Sequence, residues 1–246
     1  NTVQFPFLNA NNHNYDPRSV VSQGSFTSNG HVTPAFIKKY YNVSNDVGSM
    51  QVTQAVYGTG GVNPSDISIF QRQFNLTQQK IIQTIQAPEK CRYSNCFEGN
   101  LNVQYIMGVA QNTNTTFEYW SPSDDWMLGW ITAVAKNPKP ANVYSISHGT
   151  YEYSYYQSYM DSFNTEAIKL GVMGTTIVVA SGENGAVGSI LFDMNFDQCS
   201  YHPMFPASSP YVLTVGATKV SVLCDIIPTC LILVLLLDRV LKREKL

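Results

Sequence analysis

The chain reads as an α/β protein built on a doubly wound, mostly parallel sheet flanked by helices. Two observations predict this. Strand-like and helix-like segments alternate, the pattern that joins parallel strands through crossover helices. The most strand-like run, T-T-I-V-V-A-S at 175–181, is apolar and β-branched without alternation, as expected of a parallel strand covered on both faces.

The elements follow in order. Residues 1–30 are polar, rich in Asn and Ser and without sustained periodicity, and read as an extended leader or linker. Thr33 and Pro34 supply a cap and a first helical position for the helix that opens T-P-A-F-I-K-K-Y-Y-N-V. V-T-Q-A-V-Y-G reads as a strand ending at Gly58, and G-T-G-G as a tight turn. Asn63 and Pro64 start the next helix, with Asp66 at its dipole-favoured end and Ile67, Ile69, Phe70 and Phe74 as its apolar face. Further helices are expected at about 98–110, 124–135 and 155–170. Further strands are expected at 142–147 and, after a Gly-rich loop, in Y-V-L-T-V-G at 211–216. Ligands of such sheets sit at the carboxyl ends of the strands, so a site is expected to include 181–185.

The 246 residues suit one large domain, or one and a fragment. Hydrophobic residues make up 44%, enough for a core, while charged residues are only 13%, about half the usual share. Lys and Arg are scattered except at the extreme C-terminus, so no nucleic-acid footprint exists. The tail from 220 turns strongly apolar and then basic. Its clean apolar run after Pro228 is shorter than the roughly 20 residues a bilayer requires, so a membrane anchor is not expected. The expected organisation is a leader at 1–30, a partial domain at 31–219, and a tail at 220–246 that is not native to the fold.

Five cysteines are present: Cys91, Cys96, Cys199, Cys224 and Cys230. Cys91 and Cys96 enclose C-R-Y-S-N-C. A metal site needs further ligands, and no His or further Cys is close in sequence; a local disulfide needs only an oxidising compartment, and is favoured. Sequons at Asn42, Asn75 and Asn114 also favour a secretory route. His13, His31, His148 and His202 lack zinc-peptidase spacing, and G-T-G-G lacks the third glycine of a dinucleotide loop. His148 reads as a strand-end residue. Trp120, Trp126 and Trp130 read as core or cleft wall.

Three segments carry a family resemblance. E-G-N-L-N-V-Q-Y-I-M from Glu98 resembles the sedolisin helix E-x-x-L-D-V-Q-Y. A-S-G-E-N-G-A from Ala180 resembles A-S-G-D-S-G-A. F-P-A-S-S-P-Y-V-L-T-V-G-A-T from Phe205 resembles F-P-A-S-S-P-Y-V-x-x-V-G-G-T. T-P-A-F-I-K-K-Y-Y-N-V and N-P-S-D-I-S-I-F-Q-R-Q-F add support, so the match runs in family order from Thr33 to Thr218. It implies a subtilisin-like fold, incomplete at its C-terminus. It also implies acid peptide hydrolysis by a Ser nucleophile, with a Glu as base and an Asp orienting it. The implied partners are a peptide or protein substrate and the chain's own propeptide. The implied location is the secretory lumen, the lysosome or the extracellular space.

By the resemblance Glu98 stands at the general base. Asn102 stands where the family has its catalytic Asp; spacing i, i+4 puts the two side chains on one helix face. An amide can hydrogen-bond a carboxyl but cannot share its charge or proton, so the paired-carboxylate tuning is lost. Glu183 stands at the oxyanion Asp, one methylene longer, and ångström-scale misplacement can cost about 100-fold. Read without the family, Glu98 is a dipole-favoured helix-start acid and Glu183 a loop acid. No G-T-S or G-x-S-x-G string occurs, so the nucleophile Ser is absent. The family's calcium loop lies beyond that Ser, and no calcium site is expected here. The expectation is therefore a peptidase domain truncated before its nucleophile and inactive as it stands. The alternative is a non-catalytic pseudopeptidase that binds peptides or a protein partner.

Overall fold

The computed structural model describes residues 32–43, 48–85, 96–120, 126–183 and 202–216. The leader, the tail, Cys91, Cys199, Cys224, Cys230, His13 and His31 lie outside the described residues.

The helices are α1 (Pro34–Tyr40), α2 (Pro64–Gln73), α3 (Phe97–Val109), α4 (Trp126–Lys136) and α5 (Gln157–Val172). The strands are β1 (Thr53–Gly58), β2 (Gln83–Ile85), β3 (Asn114–Tyr119), β4 (Val143–Ile146), β5 (Thr150–Tyr151), β6 (Thr176–Ala180), β7 (Met204–Phe205) and β8 (Leu213–Val215). Six strands form one sheet in the order β2-β3-β1-β4-β6-β8, and every neighbouring pair is parallel. β5 and β7 make a separate antiparallel ribbon. The expected doubly wound parallel sheet is therefore present.

Local chemistry sets the helix starts. Thr33 caps α1 by accepting from the Phe36 N–H at 3.1 Å. Asn63 caps α2 by accepting from the Ser65 N–H at 3.0 Å, and Pro64 stands in its first turn. Both satisfy helix-end donors that would otherwise lack partners.

Strand alternation then sorts the core into two clusters. Ala55, Tyr57, Tyr144, Ile146, Ile177 and Val179 face α4 and α5, packing on Met127, Trp130, Ile131, Phe163 and Leu170. Val56 and Phe117 face the opposite way, onto Ile67, Val103 and Met107 of α2 and α3. The result is three layers: α4 and α5, the sheet, and α1 to α3. Phe163 is fully buried and meets Phe205 edge-on at 5.1 Å, tying α5 to the ribbon.

Several expectations need correction. Ile69 does not join the apolar face of α2: it is 43% exposed, while Ile67 and Phe70 are buried. β6 is not covered on both faces, because Ile177 and Val179 are buried whereas Thr176 and Ala180 are exposed. Its β-branched composition encodes two-sided burial, but α3 covers β1 and β3 and does not extend over β6. β2, β3, β5 and β7 were not anticipated. β3 lies between β1 and β2, and its N-T-T-F-E-Y sequence hides a buried strand behind Thr and Glu side chains.

Glu118 of β3 is the unusual core residue, 6% exposed. It accepts from Trp130 Nε1 at 2.9 Å. Burial pushes its carboxyl above the usual carboxylate range, and hydrogen bonds from Trp130 and Tyr144 pull part of the way back. A folded-state value above the unfolded one makes a stability contribution present at low pH and lost as pH rises through the folded value. Glu118→Gln mimics the protonated form. Its urea midpoint should match the parent at low pH and exceed it at neutral pH; a constant offset across the range would show that Glu118 does not titrate as described. Trp130→Phe should cost about 1–3 kcal/mol in the same measurement, because it leaves the Glu118 acceptor short of a donor.

Candidate active site

The site begins where α3 starts. A Cβ on Gly99 would lie 2.4 Å from the Gly61 carbonyl oxygen, so only glycine lets the helix approach the loop after β1 this closely. The same loop is bonded to α3. Asn100 Oδ1 accepts from the Asn63 N–H at 2.8 Å, and Asn100 Nδ2 donates to Asp66 Oδ2 at 2.8 Å. Gln104 Nε2 donates to the Asp66 carbonyl at 3.2 Å. Cys96, at the helix N-cap, is disulfide-bonded, as expected of a residue in C-R-Y-S-N-C; its expected mate Cys91 lies outside the described residues. Glu98, in the first turn, is thus carried on a helix end tied to the loop after β1.

The other parts arrive from strand ends. Ser147 follows β4 directly, and its Oγ donates to Asn102 Oδ1 at 3.3 Å. After β6, Ser181 N–H donates to the Val215 carbonyl at 3.0 Å. Gly182 then takes φ +97° with Met204 close by, a left-handed turn suited to glycine that presents Glu183. The structure therefore brings Glu98, Asn102 and Glu183 to the carboxyl edge of the sheet, where α/β proteins hold ligands.

Electrostatics couples them. Burial pushes the Glu98 carboxyl above its ordinary value, and the negative charge of Glu183 pushes the same way, while hydrogen bonding from Asn102 opposes both. Glu98 remains exposed as a whole residue, so its burial is partial. The Asn102 influence is one of proximity rather than of a well-aligned bond. Its Nδ2 is buried and meets no acceptor in full hydrogen-bond geometry, while its Oδ1 is engaged by Ser147. The amide orientation that places Nδ2 toward Glu98 is one of two the side chain allows, and the Ser147 hydroxyl can serve either.

An aromatic wall lines the α4–α5 side of this edge. Tyr57 is buried at the end of β1 and packs on Trp126 at 5.7 Å, Trp130 at 5.5 Å and His148 at 6.4 Å between ring centroids. His148 meets Trp126 edge-on at 4.6 Å, and burial holds its imidazole below the ordinary value. The strand-end place expected for His148 is correct. Trp130 is core; Trp126 and Trp120 are half-buried and pack against that core.

Sequence reasoning missed Ser147 and Tyr57 as neighbours of the site. The available signal was positional: each stands at the carboxyl end of a strand, but neither lies in a distinctive motif. Among the described residues no group of three or more His, Cys, Asp or Glu could hold a metal ion. No described helix is long and apolar enough to cross a membrane.

Comparison with known proteins agrees with this fold. The chain is 32% identical over 199 residues to tripeptidyl-peptidase 1 of Homo sapiens, and to that of Macaca fascicularis, in each case across 76% of the chain. It is 34% identical over 199 residues to tripeptidyl-peptidase 1 of Dictyostelium discoideum. The match spans about a third of the length of these relatives, 34% for the two primate proteins and 31% for the third. Pseudomonas sedolisin, a serine-carboxyl proteinase solved with two molecules of pseudo-iodotyrostatin, superposes with a TM-score of 0.62 at 22% identity, over 77% of this chain and 54% of that one. No family model matches. With a parallel six-stranded sheet, the sedolisin fold and tripeptidyl-peptidase 1 relatives across three quarters of its length, the chain belongs to the sedolisin family.

Proposed function

We propose that this chain carries the acid–base and oxyanion side of a sedolisin-type peptidase site, directed at peptide or protein substrates. The observation that supports this best is the convergence of Glu98, Asn102 and Glu183 at one edge, with Glu98 held above its ordinary pKa by burial and by Glu183. In such a site Glu98 takes the proton of a serine hydroxyl as that oxygen attacks the peptide carbonyl, and returns it to the leaving amine. A base with a raised pKa accepts that proton more readily than an ordinary carboxylate. Asn102, held by Ser147, stands beside Glu98 and favours its charged form without contributing charge. Glu183, when protonated, donates to the oxygen that becomes negative in the transition state.

The 246 residues contain no G-T-S or G-x-S-x-G string to supply the nucleophile. The chain alone is therefore expected to show no turnover of a peptide substrate between pH 3 and 7. Acid cleavage that disappears in Glu98→Gln would overturn this expectation. The carboxyl coupling is tested separately, by following the Glu98 side-chain carbon by NMR through a pH titration. Glu183→Gln removes a neighbouring negative charge, so the Glu98 midpoint should fall. An unmoved midpoint would mean that Glu183 is not a partner of Glu98.

A second reading, a pseudopeptidase that binds peptides without cutting them, is favoured by one specific feature. Asn102 and Glu183 both depart from the catalytic pattern of the family that the motifs resemble, while Gly99, Asn100 and Gln104 still fix α3 against the loop after β1. Saturable peptide binding by a monomeric, cooperatively unfolding chain would support it, and loss of that binding in Glu98→Gln would place the peptide at this edge.

The compartment proposed is lumenal or extracellular. The disulfide at Cys96 requires oxidising conditions. Asn42 and Asn75 are exposed and adopt left-handed turns at φ 56° and 53°, open to a glycan. Asn114 instead donates through Nδ2 to the Met50 carbonyl at 2.7 Å. Expression through a secretory pathway followed by glycosidase treatment should show mass loss traceable to Asn42 and Asn75. Unmodified asparagine at both positions would argue against this route.

A further inference from the structure

Among the described residues, one face of the sheet is left open where its sequence calls for cover. In register across the strands, Val56 of β1, Ser145 of β4, Val178 of β6 and Leu213 of β8 share a face. Val56 is buried under α3. Ser145, Val178 and Leu213 are only half-buried, and Thr176, Ala180 and Val215 are exposed, Val215 to 49%. Cover on this face is thus complete at Val56 of β1 and incomplete at β4, β6 and β8. On the opposite face Ile177 and Val179 are 3% and 1% exposed. Parallel sheets occur with both faces covered, and a contiguous open apolar face marks a docking surface.

The same chain carries an apolar segment that has its own need for cover. Residues 231–237 read L-I-L-V-L-L-L, uninterrupted by any polar side chain. The run is too short to satisfy itself by crossing a bilayer, which takes about 20 residues. It follows the open face directly: β8 is the edge strand of that face, and β8 ends at Val215. Fourteen residues, 217–230, separate Gly216 from Leu231. At roughly 3.3 Å per extended residue they reach much farther than the roughly 10 Å across β4, β6 and β8.

We infer that the apolar run 231–237 docks in cis on the open face of β4, β6 and β8, beside α3. Two surfaces of one chain, each costly to leave in water, cover one another at high effective concentration through a short tether. A second copy is the poorer occupant: pairing open faces between copies would leave the run of each copy still exposed. A bilayer is poorer still, for the length reason given. The basic residues behind the run, Arg239, Lys242, Arg243 and Lys245, would then travel with it near the rim that carries Glu98 and Glu183. This inference does not depend on the peptidase reading, since it concerns the sheet face and not the carboxyl edge.

The experiment uses the full 246-residue chain with a photo-crosslinking amino acid at Leu233. Irradiation followed by peptide mapping should join 233 to the segments 176–180 or 213–215 within one molecule. Crosslinks between molecules, attachment to the α4–α5 side, capture by added phosphatidylcholine vesicles or the lack of any adduct would each overturn the inference. A second measurement uses Leu233→Asp combined with Leu235→Asp. Charging the run should uncover the face and raise binding of a naphthalene-sulfonate dye several-fold over the parent chain; unchanged dye binding would also overturn it.

Discussion

The contact between Gly61 and Gly99 is the constraint on which the site depends. Two backbone segments meet there at a distance no side chain permits. That closeness lets Asn100 reach back to both the Asn63 N–H and the Asp66 carboxylate. The helix carrying Glu98 is consequently referenced to the end of β1 and not to its own packing alone. β1 in turn is flanked by β3 and β4, so the position of Glu98 is set by the centre of the sheet. A functional side chain on a rigid element, supported by a second layer of bonds, is what precise chemistry demands. The glycine-rich turn after β1 serves this contact.

Much of this arrangement was legible in the residues, and the failures have physical causes. Capping at Thr33 and Asn63 could be read directly, because a cap is a local hydrogen bond between residues close in sequence. The strands β1, β4, β6 and β8 could be read because their apolar content exceeds what a half-buried surface needs. β3 could not, because Thr115 and Glu118 are buried polar residues whose partners, Gln54 and Trp130, come from other elements. Ile69 was misplaced because periodicity shows which residues are apolar but not how wide a stripe the neighbouring helix covers. The three site positions came from motif resemblance alone; their spacing in the chain, 98, 102 and 183, says nothing of their approach. Ser147 was invisible for the same reason: its bond to Asn102 spans 45 residues.

The uneven cover of β6 and the identity of residue 102 concern the same region. α3 stands at the border between covered and open sheet, and its inner side chains, Asn102 among them, face that border. A carboxylate at 102 would add a second negative charge beside Glu98, which burial and Glu183 already hold above its ordinary value. Like charges in a partly buried site raise one another's pKa and oppose the ionised state. The amide removes that repulsion, supplies an N–H that favours the charged form of Glu98, and keeps an acceptor for Ser147. Residue 102 as Asn therefore makes the folded site electrostatically easier to assemble. It also removes the second titrating group that a carboxylate pair uses to divide acid and base roles. Sites built for chemistry commonly oppose stability locally, and an amide at 102 runs in the stabilising direction. Among the described residues it leaves Glu183 as the carboxylate whose charge acts on Glu98.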